Sequence, residues 1–185
     1  MARLKFLYRH KQSLDLKTRI LLCKSLILCH FDYSISAWYM PLNQQLKKSL
    51  QVMQNKIVRF ILDLGPRSHI GQSELDKVGL LNVNDRARQL IIHHMYNIFK
   101  ETAPRYLCEK FVPNTSTYNT RWSENCFIVP HAKGLTSGNF DIIGVKEWNR
   151  LSPNIKKCNS KPSFKKKVKQ LLKKEAHEKE SSLYV

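Results

Sequence analysis

Acidic residues are scarce in this chain. In 185 residues, 14 Asp and Glu stand against 32 Lys and Arg, a formal net charge of +18. The aspartates Asp15, Asp32, Asp63, Asp76, Asp85 and Asp141 are scattered, and no two are adjacent. Two-metal phosphoryl transfer needs carboxylates that hold two cations side by side, so the scatter argues against such a centre here. HExxH, phosphate-loop, GxSxG and dinucleotide fingerprints are also missing from the sequence. The expectation is a chain with no catalytic residue, no metal and no cofactor of its own. The five cysteines (Cys23, Cys29, Cys108, Cys126 and Cys158) are odd in number and contain no CxxC pair, which removes support for a zinc ribbon or thioredoxin chemistry. Arg3, Lys5 and Arg9 are charged, and the stretch Leu4 to Tyr8 is too short for a secretory core. The cysteines therefore read as reduced thiols of a cytoplasmic or nuclear protein. No apolar run is long enough to span a membrane, and no repeat of solenoid length occurs.

What is abundant is positive charge and helical period. A net charge this far from zero opposes compaction by self-repulsion, so a polyanionic partner that neutralises it is expected. Nucleic acid is the first candidate and an anionic membrane surface the second. Apolar residues recur at three- and four-residue steps from Leu14 to about Tyr39, with Ser13 as the expected N-cap and a bend at His30 to Tyr33. Apolar residues on nearly every side of that stretch predict a central, buried helix. A second helix is predicted from Asn43 to Leu64, ended by Gly65-Pro66, and a short one within Ser68 to Leu81. A third long helix is predicted from Asn84 to Lys100, with Pro104 stopping or restarting the helix beyond it. Phe111 to about Ser123 reads as a loop. Phe127–Pro130 and Phe140–Gly144 read as two short strands around a turn at Lys133–Asn139, followed by one helical turn that points Trp148 inward. The last helix is predicted from Ser160 or Ser163, with a frayed tail after Ala176. The predicted class is mainly α, a helical bundle with a possible small β-hairpin in the C-terminal third.

Few side chains stand out as chemistry. His30 and Asp32 read as bend residues bonded to backbone. His93 and His94 are adjacent and so face different sides of a helix; His94 reads as a satisfied core residue. Nothing specific pairs Cys108 with His131. Trp38, Tyr33 and Trp148 are of the type that stacks bases in single-strand binders, but core packing is the better reading of the two tryptophans. Lys56 and Arg59 lie off the apolar stripe of the second helix, where a groove-lining role competes with a solvated face. Lys165, Lys166, Lys169, Lys173 and Lys174 surround the stripe Phe164, Val168, Leu171 and Leu172 with no acid before Glu175. A solvated face normally mixes its signs, so this cluster is a predicted nucleic-acid contact. Its single aromatic, Phe164, argues against a membrane-surface helix.

Five short motifs occur in order. Ser25-Leu26-Ile27 is followed by His30-Phe31-Asp32-Tyr33 and then Trp38. Leu50-Gln51 precedes Gln54-Asn55-Lys56 and Arg59-Phe60-Ile61. Then come Pro104-Arg105-Tyr106-Leu107, Trp148-Asn149-Arg150-Leu151-Ser152-Pro153, and Ser160 with Phe164-Lys165. Together they resemble the region downstream of the polymerase core in jockey-like non-LTR retrotransposon reverse transcriptases. The chain departs from that pattern at Cys29, where the family has proline, and at Ser152, an insertion before Pro153. The resemblance implies the thumb-like and C-terminal part of an RNA-directed DNA polymerase, without its fingers, palm or metal-binding aspartates. It implies a helical thumb-like domain over 1–110, a linker at 111–126 and a small C-terminal region over 127–185. It implies partners: RNA and DNA gripped by their phosphates with low sequence preference, and an upstream polymerase domain. The motif residues His30, Phe31, Asp32, Tyr33, Trp38, Gln54, Asn55, Trp148 and Asn149 are expected to be structural. The alternative is a decayed or host-retained element product acting as a structural or protein-interaction module.

Overall fold

The computed structural model describes residues 2–114, 125–131 and 138–182. It is built from helices α1 (Ala2–Arg9), α2 (Leu16–Cys23), α3 (Cys29–Asp32), α4 (Ile35–Trp38), α5 (Gln44–Leu62), α6 (Gln72–Val78), α7 (Val83–Phe99), α8 (Arg105–Cys108), α9 (Phe140–Asn149), α10 (Pro153–Lys156) and α11 (Lys161–Ser182). A π turn, Lys24–Leu28, joins α2 to α3. The mainly-α class is the one expected. Among the described residues the β pairing is a single antiparallel bridge, Pro113 with Phe127. Residues 132–137, most of the expected hairpin turn, lie outside the described residues.

Two compact units interleave along the chain. The first comprises Met1–Ile35, Leu42–Arg86 and Ala176–Val185; the second comprises Ser36–Pro41 and Ala87–Glu175. The boundary read from sequence at 111–126 therefore falls inside the second unit.

In the first unit, α5 packs against α2 and α6. Its helix starts where Asn43 Oδ1 accepts from Leu46 N at 2.9 Å and stops at Asp63, which is left-handed (φ 57°). Leu4, Leu7, Cys23, Leu28, Ile57, Val58, Phe60, Ile61, Leu75 and Val78 form an aliphatic cluster with one ring in it. α6 ends at Gly79, whose φ of 71° is one that glycine adopts without a Cβ clash. The N-cap of α2 is Asp15, not Ser13: its side chain accepts from Thr18 N at 3.1 Å. Nor is α2 a central helix, because only one side of it packs on α5. Leu16, Leu21 and Leu26 are 46%, 66% and 41% exposed. The helix runs through Cys29, which, unlike proline, has a backbone N–H to give. It breaks at Tyr33–Ser34, where Ser34 has φ 48°. The tail expected to fray after Ala176 is helical to Ser182. Glu180 accepts from Gln72 N at 3.2 Å and His177 Nε2 meets Asp76 Oδ2 at 2.8 Å.

In the second unit the core is aromatic. Tyr96 and Phe164 stack at 4.2 Å between centroids, and Trp148 lies 5.1 Å from Phe99, 6.0 Å from Phe164 and 6.3 Å from Phe127. Trp148 is fully buried, as expected. Phe140–Gly144 is not a strand. It opens α9, with Ile142 N and Ile143 N bonded to Asn139 O and Asp141 in the first turn, where its charge suits the helix dipole. A run with Phe140, Ile142 and Ile143 fits period two as well as period 3.6, and the turns that follow it decide the outcome. Gly144 allows α9 to approach α7: a Cβ there would meet Met95 Sδ at 2.8 Å.

Candidate nucleic-acid interface

α11 carries seven lysines between Lys161 and Lys174 and no acid in that span. Its inward face is Phe164, Val168 and Leu172, each fully buried at a four-residue step. Lys165, Lys166 and Lys174 are exposed as expected, whereas Lys169 and Lys173 are half-buried flanks of the stripe. Two exposed lysines that the sequence reading passed over, Lys161 and Lys167, join the face. They were legible in the lysine run itself.

The first acid after the run is turned inward. Glu175 Oε2 accepts from Arg88 Nη1 at 2.8 Å, and Arg88 Nε donates to Glu147 Oε2 at 2.9 Å. Arg88 and Glu147 side chains are each only 11% exposed. Burial works against the Arg88 charge, but Glu175 and Glu147 outweigh it and push its pKa up. The lysine face is thus left without the carboxylate next to it in sequence. The lysines also crowd the N-terminal half of α11, where the helix dipole disfavours cations and favours anions. A polyanion placed there would relieve both repulsions.

His94 does not sit in the core. It lies at the surface with its ring edge-on to Phe140 at 6.1 Å. Partial burial, and secondly the Lys161 charge, push its pKa down.

Lys56 and Arg59 belong to the first unit, apart from the unit that holds Lys161–Lys174. Lys56 is exposed. Arg59 is half-buried, and its Nε donates to Ser68 O at 2.8 Å, holding the loop after α5. Its guanidinium therefore has a structural duty that the helical-wheel position did not reveal.

The motif residues act mainly as joints. Asp32 takes a two-pronged ion pair from Arg86, at 2.9 and 2.7 Å, and His30 contacts the Arg3 guanidinium. Both bonds are to side chains, so the backbone-bonded bend expected for His30 and Asp32 is corrected. Phe31 packs on the aliphatic cluster, while Tyr33 is 78% exposed. Trp38 is half-buried, edge-on to Tyr39 at 6.0 Å. Gln54 is buried and donates to Leu81 O at 2.8 Å; Asn55 accepts from Gln51 at 2.9 Å. Trp148 and Asn149 form a clamp on Asn125 and Phe127. Trp148 Nε1 donates to Asn125 O at 2.8 Å. Asn149 accepts from Phe127 N at 3.0 Å and donates to Phe127 O at 2.8 Å.

No disulfide joins the five cysteines, and burial pushes the Cys23 thiol up to about 12. Cys108 donates to Ala103 O at 3.5 Å. Among the described residues no cluster of His, Cys, Asp or Glu is arranged to hold a metal, and no helix is long and apolar enough to cross a membrane. No protein family, no curated protein and no solved structure matches the chain.

Proposed function

We propose that the chain is a non-catalytic nucleic-acid-gripping region, the thumb-like and C-terminal part of a non-LTR retrotransposon reverse transcriptase. It holds template and primer by their phosphates. The observation that supports this reading is the α11 face, with Lys161, Lys165, Lys166, Lys167 and Lys174 exposed and the neighbouring Glu175 engaged by Arg88. Phosphate contacts of this kind position a strand without reading its sequence. The ordered motifs favour the polymerase origin over an unrelated basic protein.

The test is the salt dependence of binding to short labelled RNA and DNA of unrelated sequence. Each phosphate contact on a single strand contributes a slope of roughly −0.7 in log affinity against log salt, so five lysines contribute about −3 to −4. Changing Lys161, Lys165, Lys166, Lys167 and Lys174 to Gln keeps helix propensity and the buried stripe. The variant is expected to stay folded and lose that slope equally for all sequences. An unchanged slope would move the grip elsewhere, with Lys56 first. A parent chain with no salt-dependent binding would favour the second reading, a protein-interaction module. That reading draws on the exposed Phe6, Leu21 and Leu26 of the first unit, which are 59%, 66% and 41% accessible.

A further inference from the structure

Lys156 is 1% exposed, the one buried lysine among the described residues. Lysine is almost never fully buried unless paired. Among the described residues no carboxylate pairs with it. Its Nζ donates to Cys126 Sγ at 3.2 Å and to Asn149 O at 3.3 Å. Sulfur is a weak acceptor, so this is a poor way to satisfy a buried amine. Cys126 is itself 8% exposed and is held on several sides. Its carbonyl accepts from Asn114 N at 2.9 Å, and its neighbours Asn125 and Phe127 are clamped by Trp148 and Asn149. One side is open to a cavity of about 350 Å³, lined by Phe99, Cys108, Phe111, Asn125, Cys126 and Phe127 among others. A single water needs roughly 10–15 Å³ of such space, so a small peroxide fits.

We propose that Cys126 and Lys156 form an oxidation site, at which hydrogen peroxide creates a covalent sulfur–nitrogen link between α10 and Cys126. In the first step the Cys126 sulfur attacks one peroxide oxygen. The O–O bond breaks, and the departing oxygen leaves as water with the thiol proton. Sulfur is oxidised by two electrons to the sulfenic acid and the peroxide is reduced. In the second step the Lys156 nitrogen lone pair attacks sulfur. The S–O bond breaks, and the hydroxyl leaves as a second water with one amine hydrogen. This condensation to a sulfenamide needs no further oxidant, and thiols reverse it. The amine intercepts the sulfenic acid before a second peroxide carries it to the irreversible sulfinic acid. The clamp holds sulfur and nitrogen in contact, which is the proximity such a condensation requires.

The experiment treats the full chain with hydrogen peroxide, blocks remaining thiols, digests with trypsin and maps peptides by mass. The expected product is a cross-linked peptide joining Cys126 to Lys156. It is uncleaved after Lys156, lighter than its parts by about 2 Da for the two hydrogens removed, and released by dithiothreitol. Cys126 in a disulfide with Cys108, Cys126 as sulfinic acid, or an unmodified Cys126 would each overturn the proposal. A second arm uses Lys156→Met, which removes the amine and keeps a long, unbranched side chain. With its helical spectrum intact, this variant is expected to accumulate a sulfenic acid at Cys126 that dimedone labels several-fold more than in the parent. Equal labelling of the two would count against the amine as the trap. The parent map decides the matter if the variant does not fold.

Discussion

The two units reach stability by different means. The first has 15 Lys and Arg against 8 Asp and Glu, six aromatic residues, and a cluster that is aliphatic except for Cys23 and Phe60. The second has 17 against 6 and twelve aromatics, several of them in ring contact, with Arg88, Lys156 and Asn149 bonding within it. Aliphatic burial is non-directional and scales with area. Ring contacts and buried hydrogen bonds are directional, and a broken one leaves an orphan group. The first unit should therefore accept volume-conserving changes, and the second should punish loss of any single partner. The unit expected to tolerate less is also the one that presents the exposed lysines of α11.

Trp148→Ala should have the largest effect. Removing a fully buried aromatic costs about 3–5 kcal/mol, and here the donor to Asn125 O goes with it. Denaturant unfolding should show that loss. Amide exchange should speed up more in α9 and α11 before Glu175 than in α5. Equal acceleration in both units would break the comparison, because the chain would then be one cooperative body. Arg88→Ala comes next. It leaves Glu147 buried without its main cation, a loss on the order of 3–5 kcal/mol. It also releases Glu175 beside the lysines, so nucleic-acid affinity should fall in a variant that still folds. An unchanged affinity would show that Glu175 does not matter to the face.

How much of this was legible follows from the range of each interaction. α5, α7 and α11 announce themselves through stripes of helical period and through Asn43, Gly65-Pro66 and Pro162, all of which act within a few residues. The lysine face is legible for the same reason. The Arg88 pairs are not, since they link residues 59 and 87 positions apart. Nor is Lys156, because a lysine in a basic chain reads as solvated until the fold buries it. The π turn at Lys24–Leu28 and the exposed side of α2 escaped because apolar period alone does not say how many faces will find a partner. The Trp148-Asn149 pair was legible as a motif, but its clamp on Asn125 and Phe127 became visible only when a distant segment folded against it.

A smaller effect sharpens the picture of the first unit. Asn43→Ala removes the cap on Leu46 N, and such losses run at about 1 kcal/mol. It should lower the denaturation midpoint without changing the steepness of the transition. Fraying should be confined to the first turn of α5, read by amide exchange, and should leave Trp148 and its neighbours unaltered.

The smallest effect is in the acid profile, and it separates the units by pH. In the first unit, Asp15 is held below its ordinary 3.8 by its hydrogen bonds with Thr18, Asp63 by Lys11, and Glu74 below 4.5 by the Ser73 hydroxyl and then the Gly71 N–H. A carboxyl whose folded pKa is depressed stabilises the fold above its unfolded value and loses that contribution as pH falls through the folded one. His94, in the second unit, has the opposite consequence. Its pKa is depressed below 6.5 by burial and Lys161, so the unfolded chain takes up a proton first and stability falls as pH drops below 6.5. On acidification the second unit should therefore loosen before the first. Residue-resolved exchange across pH should show a shoulder below 6.5 that disappears in His94→Gln. A separate decline below about 4 should become shallower, without vanishing, in Asp15→Asn, since asparagine keeps the cap but does not titrate. If the two declines coincide, or if His94→Gln leaves the shoulder in place, the assignment of acid sensitivity to separate units fails.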